Sequence, residues 1–312
     1  MPYSKTNKDS GPDRKNMSFG QMVRVCVTAA TCIAPFTHTA SAQGFAEEVG
    51  SSERLNAVGQ LGALSQRVIS AACNLSADVS PDDSYAVLTN AFFTYQLIVE
   101  ATLYGDPTLG IVGEESRPRT LQVIDDLNTT WSGLQGAITA ENVTDAQVEF
   151  AISQSSPLLR EVEILVSEIS AQYADPVELL QADAFLIDLA GKMRMLSQKI
   201  SKDVCVVSSG FDVLDSRAEL EATVSLFDRY LDALQNGLPE LGVRPPPTES
   251  ISDNLQLVSD QWAAIRPTVE DVIAGNPISN EKRSEIFEVF IRLEARISNL
   301  VYLYDKNSRL GQ

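Results

Sequence analysis

A chain of 312 residues with 24 basic and 42 acidic side chains carries a formal charge of −18, a sign that repels nucleic acid phosphates and anionic lipid. It holds one histidine, His38, in a segment that reads as removable. A chain without imidazole excludes Ser-His-Asp hydrolysis, Cys-His proteolysis and His-ligated zinc or iron, so no metal and no cofactor are expected.

Residues 1–42 read as a signal peptide: Arg24, then an apolar run over 25–36, then the small-residue end Ala40-Ser41-Ala42 before Gln43. The polar stretch 1–16 is long for the start of such a segment, and initiation at Met17 or Met22 gives an ordinary one. Cys32 follows Ala-Ala-Thr rather than a Leu-led lipobox, which argues against a lipid anchor. The run is shorter than the ~20 apolar residues that span a bilayer, so a periplasmic product with no membrane insertion of the mature chain is expected.

Beyond Gln43 the chain repeats itself. At an offset of 132, Leu64-Ser65-Gln66-Arg67-Val68 falls on Leu196-Ser197-Gln198-Lys199-Ile200, Gly59 on Gly191 and Cys73 on Cys205. Gly105, Pro107 and Gly110 fall on Gly237, Pro239 and Gly242, and after a one-residue slip Trp131 falls on Trp262. Two repeats follow, 43–175 and 176–312. Apolar residues recur at helical spacing, and alternating strand patterns are absent. The spacing predicts helices over 53–76, 83–104, 118–140 and 145–173, then 177–207, 216–236, 251–274 and 280–307. Pro118 suits a first turn, Thr144 with Gln147 forms a capping-box pattern, and Ser216 with Glu219 is its counterpart. The expected fold is all-α: two four-helix bundles, or one elongated helical array with pseudo-twofold symmetry. Trp131 and Trp262, at equivalent places in the third helix of each repeat, read as core anchors.

The first helix of each repeat carries the unusual residues. At about 100° per residue, Leu186, Ala190, Met193, Ile200 and Val204 form the core stripe of the second, with Leu189 and Leu196 at its edge. A second stripe holds Ile187, Gly191, Arg194, Gln198 and Cys205, matched in the first repeat by Leu55, Gly59, Gly62, Gln66 and Cys73. Helical glycines cost about 1 kcal/mol each, so this stripe predicts a close helix pair. Equivalent residues meeting across a pseudo-twofold axis would set Arg194 beside the space left by Gly62, flanked by Gln66 and Gln198. A guanidinium there needs a carboxylate or an anion, and the residues leave both open. They also leave open whether Cys73 and Cys205 form a disulfide or stay free. Arg67 and Lys199 fall about 140° round from Arg194, toward solvent.

Ile187-Asp188-Leu189-Ala190-Gly191-Lys192-Met193-Arg194-Met195-Leu196-Ser197-Gln198-Lys199-Ile200 resembles the signature helix of the PilJ/NarX-type sensor domain, the input domain of type IV pilus chemotaxis transducers and nitrate/nitrite sensor kinases. The family pattern runs roughly N-L-A-G-x-x-R-M-x-S-x-R. The first repeat keeps Asn56, Gly59, Ser65 and Arg67 but has Gly62 where the first arginine belongs. The resemblance implies a ligand site of Arg194, Gly191, Gln198, Gly62, Gln66 and Gly59 for a small anion such as nitrate or nitrite, with the repeat replacing a dimer. It implies action through a partner signalling or transport protein, since the family's helices continue into a membrane-anchored module.

Catalysis finds no support: Ser197 and Lys199 stand two apart, off a common helix face, and phosphate-cradling glycine motifs are absent. The expected function is periplasmic anion sensing. The alternative is a helical adaptor of a pilus or chemotaxis system that binds a protein and no small molecule.

Overall fold

The computed structural model describes residues 51–138, 142–173, 181–211 and 213–310. The segment expected to be a signal peptide, with Cys26, Cys32 and His38, lies outside them, as does the junction between the repeats. The described chain is all-α: α1 (Ser51–Ser76), α2 (Pro81–Tyr104), α3 (Pro118–Ala137), α4 (Asp145–Tyr173), α5 (Gln181–Ser208), α6 (Val213–Asn236), α7 (Glu249–Ala274) and α8 (Asn280–Leu310).

The starts of these helices follow local chemistry. Pro81 and Pro118 sit in first turns, where a missing N–H costs nothing. The Thr144 hydroxyl accepts from the Gln147 N–H while the Gln147 side chain accepts from the Thr144 N–H at 2.8 Å, a reciprocal cap for α4. Ser216 does not cap α6. That helix begins at Val213, so Ser216 lies inside it, and Glu219 instead pairs with Lys199 on α5.

The second-to-third connections repeat each other closely. Each has an isolated antiparallel bridge, Asp106 with Ile111 and Leu238 with Val243, around a short 3-10 turn, Pro107–Leu109 and Pro239–Leu241. The glycines after these turns, Gly110 and Gly242, take left-handed φ of 71° and 75°. A Cβ on Gly105, whose φ is also positive, would come within 2.9 Å of the Gly113 carbonyl, which fixes glycine there.

Helices α1 to α4 enclose one core and α5 to α8 a second. The stripe Leu186, Ala190, Met193, Ile200 and Val204 is wholly inside the latter. Trp131 and Trp262 are both buried. Trp131 stacks on Tyr95 with ring centroids 3.5 Å apart, and the Trp262 indole donates to Asp228 at 2.7 Å. No described helix is long and apolar enough to cross a membrane.

The two bundles join through their first helices. Going down the chain, Gly62 stands against Met195, Arg67 Nε donates to Gln198 Oε1 at 3.1 Å, Ser70 and Ser201 hydroxyls meet at 2.9 Å, and Cys73 is disulfide-bonded to Cys205 with Cα atoms 6.2 Å apart. Partners advance together on both helices, so α1 and α5 run parallel and in register at the sequence offset. Gly59, Gln66 and Cys73, like Gly191, Gln198 and Cys205, stand seven residues apart, the period of a parallel coiled coil. Small and polar residues occupy this seam where a coiled coil carries Leu and Ile.

Candidate functional site

Arg194 lies in the seam with only 2% of its surface exposed. Its Nη1 donates to Asn56 Oδ1 at 3.3 Å and its Nη2 to the Asn56 carbonyl at 3.4 Å, both long for a charged donor. Its Nε is buried without a partner, and among the described residues no carboxylate lies within ion-pair distance. Burial pushes the guanidinium down to about 10, against the attraction of the Glu294 carboxylate and with a further push from Arg67. At neutral pH it is therefore still a cation, enclosed and underpaired.

The guanidinium does not sit over Gly62. Its Nη2 is 3.4 Å from where a Cβ on Gly59 would be, whereas a Cβ on Gly62 would meet Met195, Leu159 and Val162. The physical reason is the direction of helical side chains: they lean toward the helix N-terminus, so a long side chain at position 194 reaches the partner residues one turn earlier. Gln66 and Gln198 are engaged elsewhere. Gln66 accepts from the Ser155 hydroxyl at 2.9 Å and donates to Ser65, and Gln198 bridges Arg67 and the Phe290 carbonyl. The structure thus brings Arg194, Gly59 and Asn56 together and places Gln66, Gln198 and Gly62 further along the seam.

Gly191, the repeat mate of Gly59, has nothing within 4 Å of its Cβ position. The cause is visible in the pairing. Position 62 is the counterpart of position 194, so a side chain there would cover Gly191 as Arg194 covers Gly59. With glycine at 62, Met195, Leu159 and Val162 pack over that position, and open space remains at the Gly191 Cβ position.

Arg67 and Lys199 do not face solvent as the helical wheel placed them. Arg67 is largely buried and paired to Glu294 on α8 at 2.6 Å. Lys199, also largely buried, reaches Asp203 at 2.8 Å and Glu219 at 2.7 Å. Asp203, itself buried, also takes Lys202 at 2.7 Å. Around Arg67, Lys199 and Lys202 the polar seam is thus a set of matched charges, and Arg194 stands outside it. A further buried arginine, Arg54, donates to the carbonyls of Val112 and Gly113 near Glu115 and ties the second-to-third connection to α1.

Asn56 is the contact that stripe geometry missed, although the resemblance had marked it as a motif position. Among the described residues no group of three or more His, Cys, Asp or Glu side chains is placed to hold a metal ion.

Residues 177–284 match the family described as the type IV pili methyl-accepting chemotaxis transducer N-terminal region, PilJ. The match takes in α5, α6, α7 and the start of α8, and with them Arg194, Gly191, Gln198 and Cys205. This segment of the chain is similar to a signalling input domain. No curated protein matches the chain.

Proposed function

We propose that the protein is a periplasmic sensory binding protein for a small anion of the nitrate or nitrite class, held at Arg194 and reported to a partner signalling or transport protein. The observation that carries this reading is a buried guanidinium with no carboxylate partner among the described residues, in a protein with a large excess of carboxylates. Evolution had carboxylates to spare for a structural pair, as it used at Arg67 and Lys199. The Nε of Arg194, the close approach at Gly59 and the empty space over Gly191 supply donors and room on either side of the seam. The PilJ match over the arginine-bearing segment supports a signalling role.

A second reading has its own support. Arg194 is closed in by packing, while Phe93 and Tyr104 on α2 stand about two-thirds exposed, a surface suited to a protein-binding adaptor. A thermal-shift screen of nitrate, nitrite and other oxyanions separates the two. The sensor reading expects at least one anion to raise the melting temperature in wild-type protein and in Lys199→Ala, but not in Arg194→Ala. A screen with no shift for any anion leaves the adaptor.

A further inference from the structure

At the opposite end of the seam a second arginine stands without a carboxylate. Arg283, at the start of α8, is 8% exposed and has no ion pair among the described residues. Its Nη2 donates to the Ser209 hydroxyl at 2.6 Å and approaches Cys205 Sγ at 3.3 Å, and its Nε is buried without a partner. Other charges nearby are already matched: Lys202 and Lys199 share Asp203, and Asp145 on α4 accepts from Ser76. From α1 the neutral Asn74 lines the space beside Arg283 and Cys205. Among the described residues the cation at Cys205 thus pairs with no anion while the disulfide is intact.

We propose that Cys73–Cys205 is a reducible bond rather than a permanent staple, with Arg283 placed to hold Cys205 as a thiolate once the bond opens. The chemistry balances with a dithiol as reductant. One thiolate of the dithiol attacks Cys73 Sγ, the S–S electron pair leaves on Cys205 Sγ, and the dithiol's second thiol then displaces Cys73. Two electrons pass to the protein and the dithiol becomes a disulfide. Cys73 takes a proton and Cys205 keeps its charge against Arg283. Direction is set by the cation, because the sulfur beside it is the better leaving group. A cavity of about 10 Å³ between Cys205, Arg283, Asn74 and Phe287 gives the separated sulfur room to withdraw. Both sulfurs are buried, and Ser209 Oγ lies 3.8 and 3.9 Å from them, so the turn after α5 must open before a reductant reaches Cys73.

The site is independent of anion binding and is tested without it. A full chain with Cys26, Cys32 and Cys73 all changed to Ser keeps Cys205 as its one thiol, and thiolate absorbance at 240 nm then follows its ionisation. The expected midpoint lies at least one pH unit below the ordinary ~8.5. Arg283→Met should raise it by about one pH unit or more, whereas Arg283→Lys should keep most of the effect and Ser209→Ala should leave it nearly unchanged. In the intact chain, Arg283→Met should make reduction by dithiothreitol at least tenfold less favourable. A midpoint at or above ~8.5 with Arg283 present overturns the proposal whether or not the Met variant folds. An equal shift in Ser209→Ala also overturns it, since Arg283 would then only pin the turn.

Discussion

Arg194 is where an ordinary rule of burial is broken, and each consequence can be measured. Arginine keeps its proton at neutral pH even in a dry site, so the folded chain carries a cation with no carboxylate partner among the described residues. Replacing a buried, underpaired charge with an apolar side chain of similar length is commonly neutral or stabilising. Arg194→Met should therefore unfold at the same or a higher denaturant concentration than wild type in anion-free buffer, while losing anion-induced stabilisation. The pH dependence follows from the depressed value near 10. Below it the group is protonated in both folded and unfolded chains and contributes no slope. Above it the unfolded chain binds the extra proton, so folded stability gains as pH rises toward the ordinary arginine value. Nitrate affinity should accordingly be flat between roughly pH 6 and 9, and a steep change there would point to a titrating group other than this guanidinium. Gly191 offers a second residue-scale check. With open space at its Cβ position, Gly191→Ala should stabilise the anion-free protein by about 0.5–1 kcal/mol through helix propensity. If that open space receives the ligand, the same change weakens binding.

Among the elements, the pairing of α1 with α5 was readable from the chain alone. Glycine, glutamine and cysteine recurring at equal spacing in both repeats pointed to a close helix pair, and the capping pattern at Thr144 and the paired Gly-Pro connections were equally plain. What a helical wheel lacks is the third dimension. It ranks residues by angle and ignores the backward lean of long side chains, so it set Arg194 against Gly62 rather than Gly59 and Asn56. It also treats Lys199 as isolated, although Asp203 lies one turn further along the same helix and Glu219 on the next. Asp203 can be tested directly. It is 1% exposed and joins two lysines, so Asp203→Asn leaves both cations short of their shared anion and should cost about 3–5 kcal/mol in chemical denaturation. A loss below about 1 kcal/mol would mean that the lysines find water instead.

Over the whole molecule, two bundles of the same design are held as one body by a polar seam with an arginine near each end and a disulfide at one. The bond closes a separation of 132 residues. Peptide mapping under non-reducing conditions should recover Cys73 joined to Cys205, and Cys73→Ser should lower stability by roughly 2–5 kcal/mol, the range for loss of a native cross-link. The repeat also explains an asymmetry no single half would show: one half of the seam holds a guanidinium, and the equivalent position 62 is a glycine packed against Met195, Leu159 and Val162. The central claim, that this buried cation awaits a small anion, is tested most directly by calorimetric titration of nitrate and nitrite into wild-type protein and Arg194→Met side by side. Saturable one-to-one heat in wild type and none in the folded variant is the expected result. Equal heats in both, or none in wild type, would contradict the claim.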